Sequence, residues 1–249
     1  MADIDGGHVH DVRRQRLEVV CISDTHGRHD DVANLPVGDV LVHAGDWTRF
    51  GKREDAVAFN EFLGRLPHRH KIVVNGNHEA NAEWKKEAKA LLSNATALLV
   101  NEACVVDGWH FYGTQFYWPA QGDNPYYGLI PANADVVIAH GPVAGYVDGG
   151  NGCASLRQHL ETRAHPRLVV SGHIHHDHGV VVERSGPLAG TAFVNAANCN
   201  KGYTIGWGPI TVTLEDGADV LTREVEPARK GPGGDAGGEG SSLYMCTLL

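Results

Sequence analysis

The stretch LEVVCISDTHG, residues 17–27, runs apolar and β-branched and then stops at an acid, Asp24, with His26 two positions later. An apolar run of this length without polar alternation suits a strand buried on both faces of a sheet. Four further runs end the same way: DVLVHA (39–44) in GDWT, KIVV (71–74) in NGNHE, ADVVIA (134–139) in HGP, and RLVV (167–170) in SGHIHH. Residues 53–66 and 82–92 space their apolar side chains for helices, and a third helix is expected over 153–162. Later runs (VVVE, TAFVNAA, ITVTL) are strand-like with little helix between them. This order predicts an α/β fold of layered sheets with helices outside.

In open α/β sheets, ligands bind outside the carboxyl ends of the strands. Five strand ends therefore deliver polar groups to one rim: Asp24 and His26; Asp46; Asn77 and His78; His140; His173 and His175. A donor set of carboxylate, amide and imidazole without thiolate suits Mn, Fe, Co, Ni or Zn better than Ca²⁺. Seven such donors, with His78 set apart, exceed the need of one ion and suit two ions sharing a carboxylate. The i, i+2 spacing of Asp24 with His26, and of His173 with His175, puts each pair on one side of an extended chain. By that parity His176 and His178 turn away, and Asp177 turns back behind the ligands. A single D-x-H or H-x-H is weak in a chain with 16 histidines. Five such elements, in order and each closing an apolar run, are not incidental.

The 249 residues are 42% hydrophobic, enough for one large α/β domain or two small ones. A formal net charge of -9 gives no basic face for a nucleic-acid polymer. A small anionic substrate needs positive charge supplied inside the site. The cysteines (Cys21, Cys104, Cys153, Cys199, Cys246) are odd in number and lack a C-x-x-C pair, as expected of reduced thiols in an intracellular protein. Residues 1–14 hold no apolar signal segment, and no window spans a bilayer, so a cytoplasmic location is expected. The polar residues 1–14 and the Gly-rich 231–249 are expected to be flexible flanks of one catalytic domain over 15–230. The last four residues, CTLL, fit a C-a-a-X pattern for geranylgeranylation of Cys246 in a eukaryotic host. Thr247 is not aliphatic, and one lipid without a polybasic stretch tethers a protein to membranes only weakly.

The ordered set SDTHG, HAGD, NGNHE, AHGP and SGHIH resembles the calcineurin-like metallophosphoesterase family over about residues 17–197. DVLVHAGDWTRFG, FNEFLGRLPHRHKIVVNGNHE and FVNAANC resemble its MPPED-type metallophosphodiesterase branch. The resemblance implies a four-layer α/β/β/α sandwich and two divalent ions. It assigns Asp24, His26, Asp46 and His175 to the first ion, and Asp46, Asn77, His140 and His173 to the second, with Asp46 bridging. It also implies that His78 binds no metal and approaches the phosphate as the catalytic group. In phosphoprotein-phosphatase relatives the second motif reads G-D-x-x-D-R-G, and its second Asp supports that histidine. Here GDWTRFG places Arg49 there. His78 is thus expected to lack that partner, and Arg49 becomes a candidate phosphate contact.

Such a site acidifies a water so that hydroxide attacks phosphorus in line, while His78 protonates the leaving oxygen. Two divalent ions less two carboxylates and one hydroxide leave about one positive charge, which suits a phosphodiester monoanion. Small phosphodiesters such as cyclic nucleotides are the expected substrates, with Asn77 touching the phosphate. A phosphomonoesterase of the same fold is the alternative. A nuclease, which wants a basic groove that the composition does not favour, and a non-catalytic scaffold, which predicts missing ligands where this chain has all seven, are the less favoured alternatives. In TQFYWPAQGDNPYYG (114–128), Trp118 and Tyr126 are the candidates to stack a base.

Overall fold

The computed structural model describes residues 14–118 and 122–227. Cys246 and the Gly-rich segment expected to be a flexible flank lie outside them. Two six-stranded sheets form the middle of the molecule. The first is built from β1 (Leu17–Ile22), β2 (Val40–His43), β3 (His70–Val74), β4 (Ala97–Leu99), β11 (Ile210–Leu214) and β12 (Leu221–Glu224). Its order is β12-β11-β1-β2-β3-β4, with β1 to β4 parallel and β11 antiparallel to both its neighbours. The second contains β5 (Glu102–Val106), β6 (Trp109–Gly113), β7 (Val136–Ile138), β8 (Leu168–Ser171), β9 (Gly179–Val182) and β10 (Ala192–Asn195). Its order is β5-β6-β7-β8-β10-β9, parallel from β6 to β10 and antiparallel at both edges.

Alternation along each strand explains the layers. In β1, Val19 and Cys21 face the second sheet, while Val20 and Ile22 face helices. In β8, Leu168 and Val170 face the first sheet and Val169 faces outward, again against helix. Both faces of these strands are covered, which is why their sequences read as unbroken apolar runs. The helix Arg53–Arg65 buries Ala56, Phe59, Phe62 and Leu63 on one stripe against the first sheet. Outside the second sheet, the helix Ala154–His159 buries Leu156. The result is helix, sheet, sheet, helix.

Two predicted helices differ in detail. Residues 82–92 form a 3₁₀ turn, Glu83–Glu87, running into a one-turn helix, Ala88–Leu91. Trp84 is buried and donates its Nε1–H to Gly51 O at 2.7 Å, which ties this segment to the loop before the first helix. The third predicted helix ends as α at His159, then widens into a π turn, Leu160–Ala164, stopped by His165 in a left-handed conformation. Among the described residues no helix is long and apolar enough to cross a membrane.

Just past their carboxyl ends the two sheets touch. Ser23, following β1, bridges Ala197, following β10. Asn198 closes this junction: its Oδ1 accepts from Ser23 N–H (3.2 Å), and its Nδ2 donates to Trp207 O (3.2 Å) and Gly208 O (3.1 Å). At the end of β2, His43 joins two turns. Gly45 N–H donates to its Nδ1 (3.3 Å), so Nε2 carries the proton and donates to Thr25 Oγ1 (3.0 Å). Burial pushes His43 down to about 3, keeping the ring neutral.

Asn198→Ala leaves three backbone groups without a partner, two of them buried, and we expect it to lower unfolding free energy by about 3 kcal/mol. Urea unfolding of the metal-free protein measures this, and a loss below ~0.5 kcal/mol would contradict a structural role for the amide. The second expectation concerns acid. An unfolded histidine protonates near ~6.5, whereas folded His43 resists until about 3. Its contribution to stability is therefore whole above the unfolded value and lost as pH falls below it, by up to ~1.4 kcal/mol per pH unit. His43→Gln should flatten the acid limb of stability against pH by about one proton. An unchanged slope would mean that the buried ring is already charged.

Candidate metal centre

The loops leaving β1 and β2 run side by side. Asp24 N–H donates to Gly45 O (2.9 Å), His26 N–H to Asp46 O (3.0 Å) and Gly27 N–H to Trp47 O (3.1 Å). Four of the predicted ligands, Asp24, His26, Asp46 and His173, have φ between 45 and 67°. Left-handed backbone is uncommon for residues with side chains, with Asn, Asp and His the best represented. The expectation of an extended chain with i, i+2 parity is therefore corrected: tight turns, not strand continuation, aim these donors. Two glycines make room. A Cβ on Gly76 would lie 2.1 Å from Asp46 Oδ1, and one on Gly172 would lie 2.1 Å from Asp24 Oδ2.

The turns assemble three overlapping groups whose donor atoms lie within 4.8 Å of one another: Asp24 with His26 and His175, His26 with Asp46 and His78, and Asp46 with His140 and His173. His26 Nε2 and His175 Nε2 stand 3.1 Å apart, and His175 Nε2 is 3.2 Å from Asp24 Oδ1. Asn77 Oδ1 reaches both His140 Nε2 and His173 Nδ1 at 3.2 Å, and His140 Nε2 is 3.4 Å from Asp46 Oδ2. All seven residues predicted as ligands thus share one rim, with Asp46 common to two groups.

These donors fit divalent cations. Asp24 Oδ1 is buried without a hydrogen-bond partner, while His175, His26 and His140 present Nε2 atoms 3.2–3.9 Å away. Such an oxygen is costly unless a cation completes it. Two histidines are oriented from behind: His140 Nδ1 lies 2.8 Å from Ala44 O and His175 Nδ1 lies 3.1 Å from Asn200 O, which leaves each Nε2 for the ion. Burial would raise both aspartates, but His140 and its neighbours hold Asp24 and Asp46 well below the usual carboxylate range. Burial pushes His26 and His173 down to about 4, so both offer lone pairs at neutral pH. Burial also opposes charge on His140, yet Asp46 and Asp24 raise it to about 9. A bound cation would displace that proton.

His78 sits beside this set, its Nε2 3.9 Å from Asp46 Oδ2. The carboxylate partner that Arg49 replaces is substituted by backbone. His78 Nδ1 lies 3.0 Å from Thr48 O and 2.9 Å from Phe50 N, and pairs with one or the other according to its tautomer. Arg49 itself is exposed, with its N–H donating to Asp55 Oδ2 (2.7 Å). Trp118 packs against His173 at 4.7 Å between ring centroids, over Gly141. Tyr126 instead packs edge-on to Tyr117 and pairs its hydroxyl with Gln115 Nε2 (3.4 Å). Asp177 is also turned elsewhere: Oδ2 accepts from Gly149 N–H (2.7 Å), fastening the 147–152 loop. His176 is exposed, and His178 stacks on Trp207, whose Nε1–H donates to His175 O (3.1 Å).

Sequence reasoning missed Glu79. It is fully buried and accepts four hydrogen bonds, from Asp46 N–H (2.9 Å), Gly76 N–H (2.9 Å), Thr48 N–H (2.8 Å) and Thr48 Oγ1–H (2.6 Å). Burial, and then the charge of Asp46, raises it to about 7 against those bonds. It locks the Asp46 turn to the Asn77 turn. Its place directly after His78 in NGNHE was the available signal.

A sequence model of the calcineurin-like phosphoesterases matches residues 17–177. UPF0046 protein K07C11.7 of Caenorhabditis elegans is 37% identical over 224 residues, covering 78% of this chain and 74% of that protein. Metallophosphoesterase domain-containing protein 1 of Homo sapiens is 34% identical over 234 residues, covering 78% and 70%. TT1561 of Thermus thermophilus shares the fold with a TM-score of 0.58 at 12% identity, covering 84% of this chain and 99% of that one. The motif-bearing domain and these likenesses agree: the chain belongs to the calcineurin-like phosphoesterase family of divalent-metal phosphoester hydrolases.

Proposed function

We propose that the chain hydrolyses small phosphodiesters, cyclic nucleotides among them, at a two-metal centre. The observation that carries this reading is a chain of three donor groups joined through His26 and Asp46, the middle one of which also contains His78. Divalent ions in such a site supply an acidified water and an electrostatic hold on the phosphoryl oxygens. The protein's own groups set the charge, the geometry and the proton.

Asp24 and Asp46 stay ionised and bring two negative charges to the centre. Two divalent ions held there would outweigh those charges and leave the centre net positive, which supports an anionic diester as substrate. Asn77 Oδ1 adds a neutral donor between His140 and His173, and in this reading its amide nitrogen meets a phosphoryl oxygen. Glu79 fixes the two turns that carry Asp46 and Asn77, so neither rearranges as charge develops. In its protonated form His78 donates Nδ1–H to Thr48 O and holds a second proton on Nε2, the nitrogen facing Asp46. The imidazolium gives that Nε2 proton to the departing oxygen and is left as neutral imidazole.

His78→Ala is expected to keep two bound metals while kcat falls about a hundredfold or more. Loss of both metals in that variant, measured by elemental analysis, would overturn the role of His78. Asp46→Asn is expected to weaken binding of both ions together; full activity with two tightly held metals would refute the sharing of Asp46. The ester class is decided by rates of the metal-reconstituted protein on bis-p-nitrophenyl phosphate against p-nitrophenyl phosphate. The diester is expected to be the better substrate, followed by hydrolysis within a cyclic-nucleotide panel. A clear preference for the monoester would replace this reading with a phosphatase.

A further inference from the structure

Two aromatic side chains that are not themselves candidate ligands stand over the centre. Phe50 is 67% exposed and Tyr203 40% exposed, and both have left-handed backbone, φ 55° and 56°. Bulky residues seldom adopt this conformation, and where a fold maintains it the reason is often a binding or catalytic site. The histidines of the site hold both in place. Phe50 N–H donates to His78 Nδ1, and Tyr203 N–H donates to Asn200 O (3.0 Å), the same carbonyl that orients His175. The Phe50 ring stacks on His78 at 5.0 Å and 21°. The Tyr203 ring stands edge-on to His26 (4.8 Å) and His175 (5.3 Å). Between them the two rings are 6.3 Å apart and tilted by 44°.

The opposite side of the centre is walled separately, by Phe116 against His140 and by Trp118 against His173. A phosphodiester has two alcohols, and the one that leaves must lie next to the group that protonates it. With His78 in that role, a diester of two separate alcohols sets the departing one against Phe50 and Tyr203 and the retained one against Phe116 and Trp118; in a cyclic diester it is the side of the breaking bond that meets Phe50 and Tyr203. Beyond Phe50 the surface continues as a groove of about 520 Å³, which Phe50 lines together with Lys52, Asn81 and Trp84.

We propose that Phe50 and Tyr203 form the subsite for the departing alcohol, and that this alcohol carries a flat aromatic or heteroaromatic ring. The assignment of sides rests on the diesterase reading above. Exposed aromatic faces are worth most against a planar group, and stacking tolerates many such groups.

Binding of phenylphosphonate and methylphosphonate to the protein in saturating Mn²⁺, measured by calorimetry, tests the subsite without turnover. The wild type is expected to prefer the phenyl probe about tenfold. Phe50→Ala and Tyr203→Ala should each remove most of that preference, Phe50→Tyr should keep it, and Trp118→Ala should keep it. A preference that survives in both alanine variants, or that disappears in Trp118→Ala instead, overturns the proposal. A lost preference that Phe50→Tyr fails to restore does so as well. A protein that shows the expected preference but hydrolyses no diester would sink the diesterase reading and leave the ring contact standing.

Discussion

Two carboxylates of like charge, Asp24 and Asp46, are buried together where the sheets meet, and each opposes ionisation of the other. Most of the surrounding structure answers that conflict. His140, itself buried, is raised to about 9 by the pair and stands between them, 3.9 Å from Asp24 Oδ1 and 3.4 Å from Asp46 Oδ2. Backbone amides take the remaining lone pairs, His173 N–H on Asp24 Oδ2 (2.9 Å) and His78 N–H on Asp46 Oδ1 (3.0 Å). Those amides can approach only because glycine precedes each motif turn at 172 and 76. What stays uncompensated is one oxygen, Asp24 Oδ1, and its surroundings are imidazole nitrogens. Fold and metal affinity are thus two sides of one electrostatic problem: the protein tolerates buried negative charge where a cation is meant to sit.

The sheets make that burial possible by supplying position rather than charge. Each has four parallel strands, so eight carboxyl ends point toward the shared rim. The turns that follow are stitched to one another, through His43 between the first two motifs and through Asn198 between the sheets. Glu79 performs the same office between Asp46 and Asn77. None of the three touches the expected phosphate, yet each sets where a ligand stands.

Much of this was legible in the chain. Unbroken apolar runs in β1, β2, β3 and β8 announced strands covered on both faces, and the polar residues closing them announced the rim. The candidate ligands His173 and His175 were drawn from the end of one apolar run and supported by a spacing rule whose premise the structure does not share, since His173 is left-handed rather than extended. The two point to one region because a turn brings them there, and each then serves a different donor group. Residues such as Glu79, Phe50 and Tyr203 were less visible for a physical reason: their roles depend on contacts between loops. Tyr203 meets His26 across the whole domain, and no local periodicity marks it. For Arg49 and Tyr126 the residue type suggested a substrate contact, and the structure shows bonds to other partners: the Arg49 backbone N–H to Asp55, the Tyr126 hydroxyl to Gln115.

The stitch at Asn198 has a consequence for how the protein is made. Ser23 and Asn198 are 175 positions apart, and the paired imidazoles of His26 and His175 are 149 apart. A ribosome synthesises the first half of the centre long before the second exists. The nascent amino-terminal half carries Asp24, His26 and Asp46 with no His140 to offset their charge, so its carboxylates have every reason to stay hydrated and the β1 turn to stay loose. The first sheet is complete only with β11, which pairs with β1 from a position still further along the chain. The full donor set therefore exists only once residues from both halves of the chain have come together.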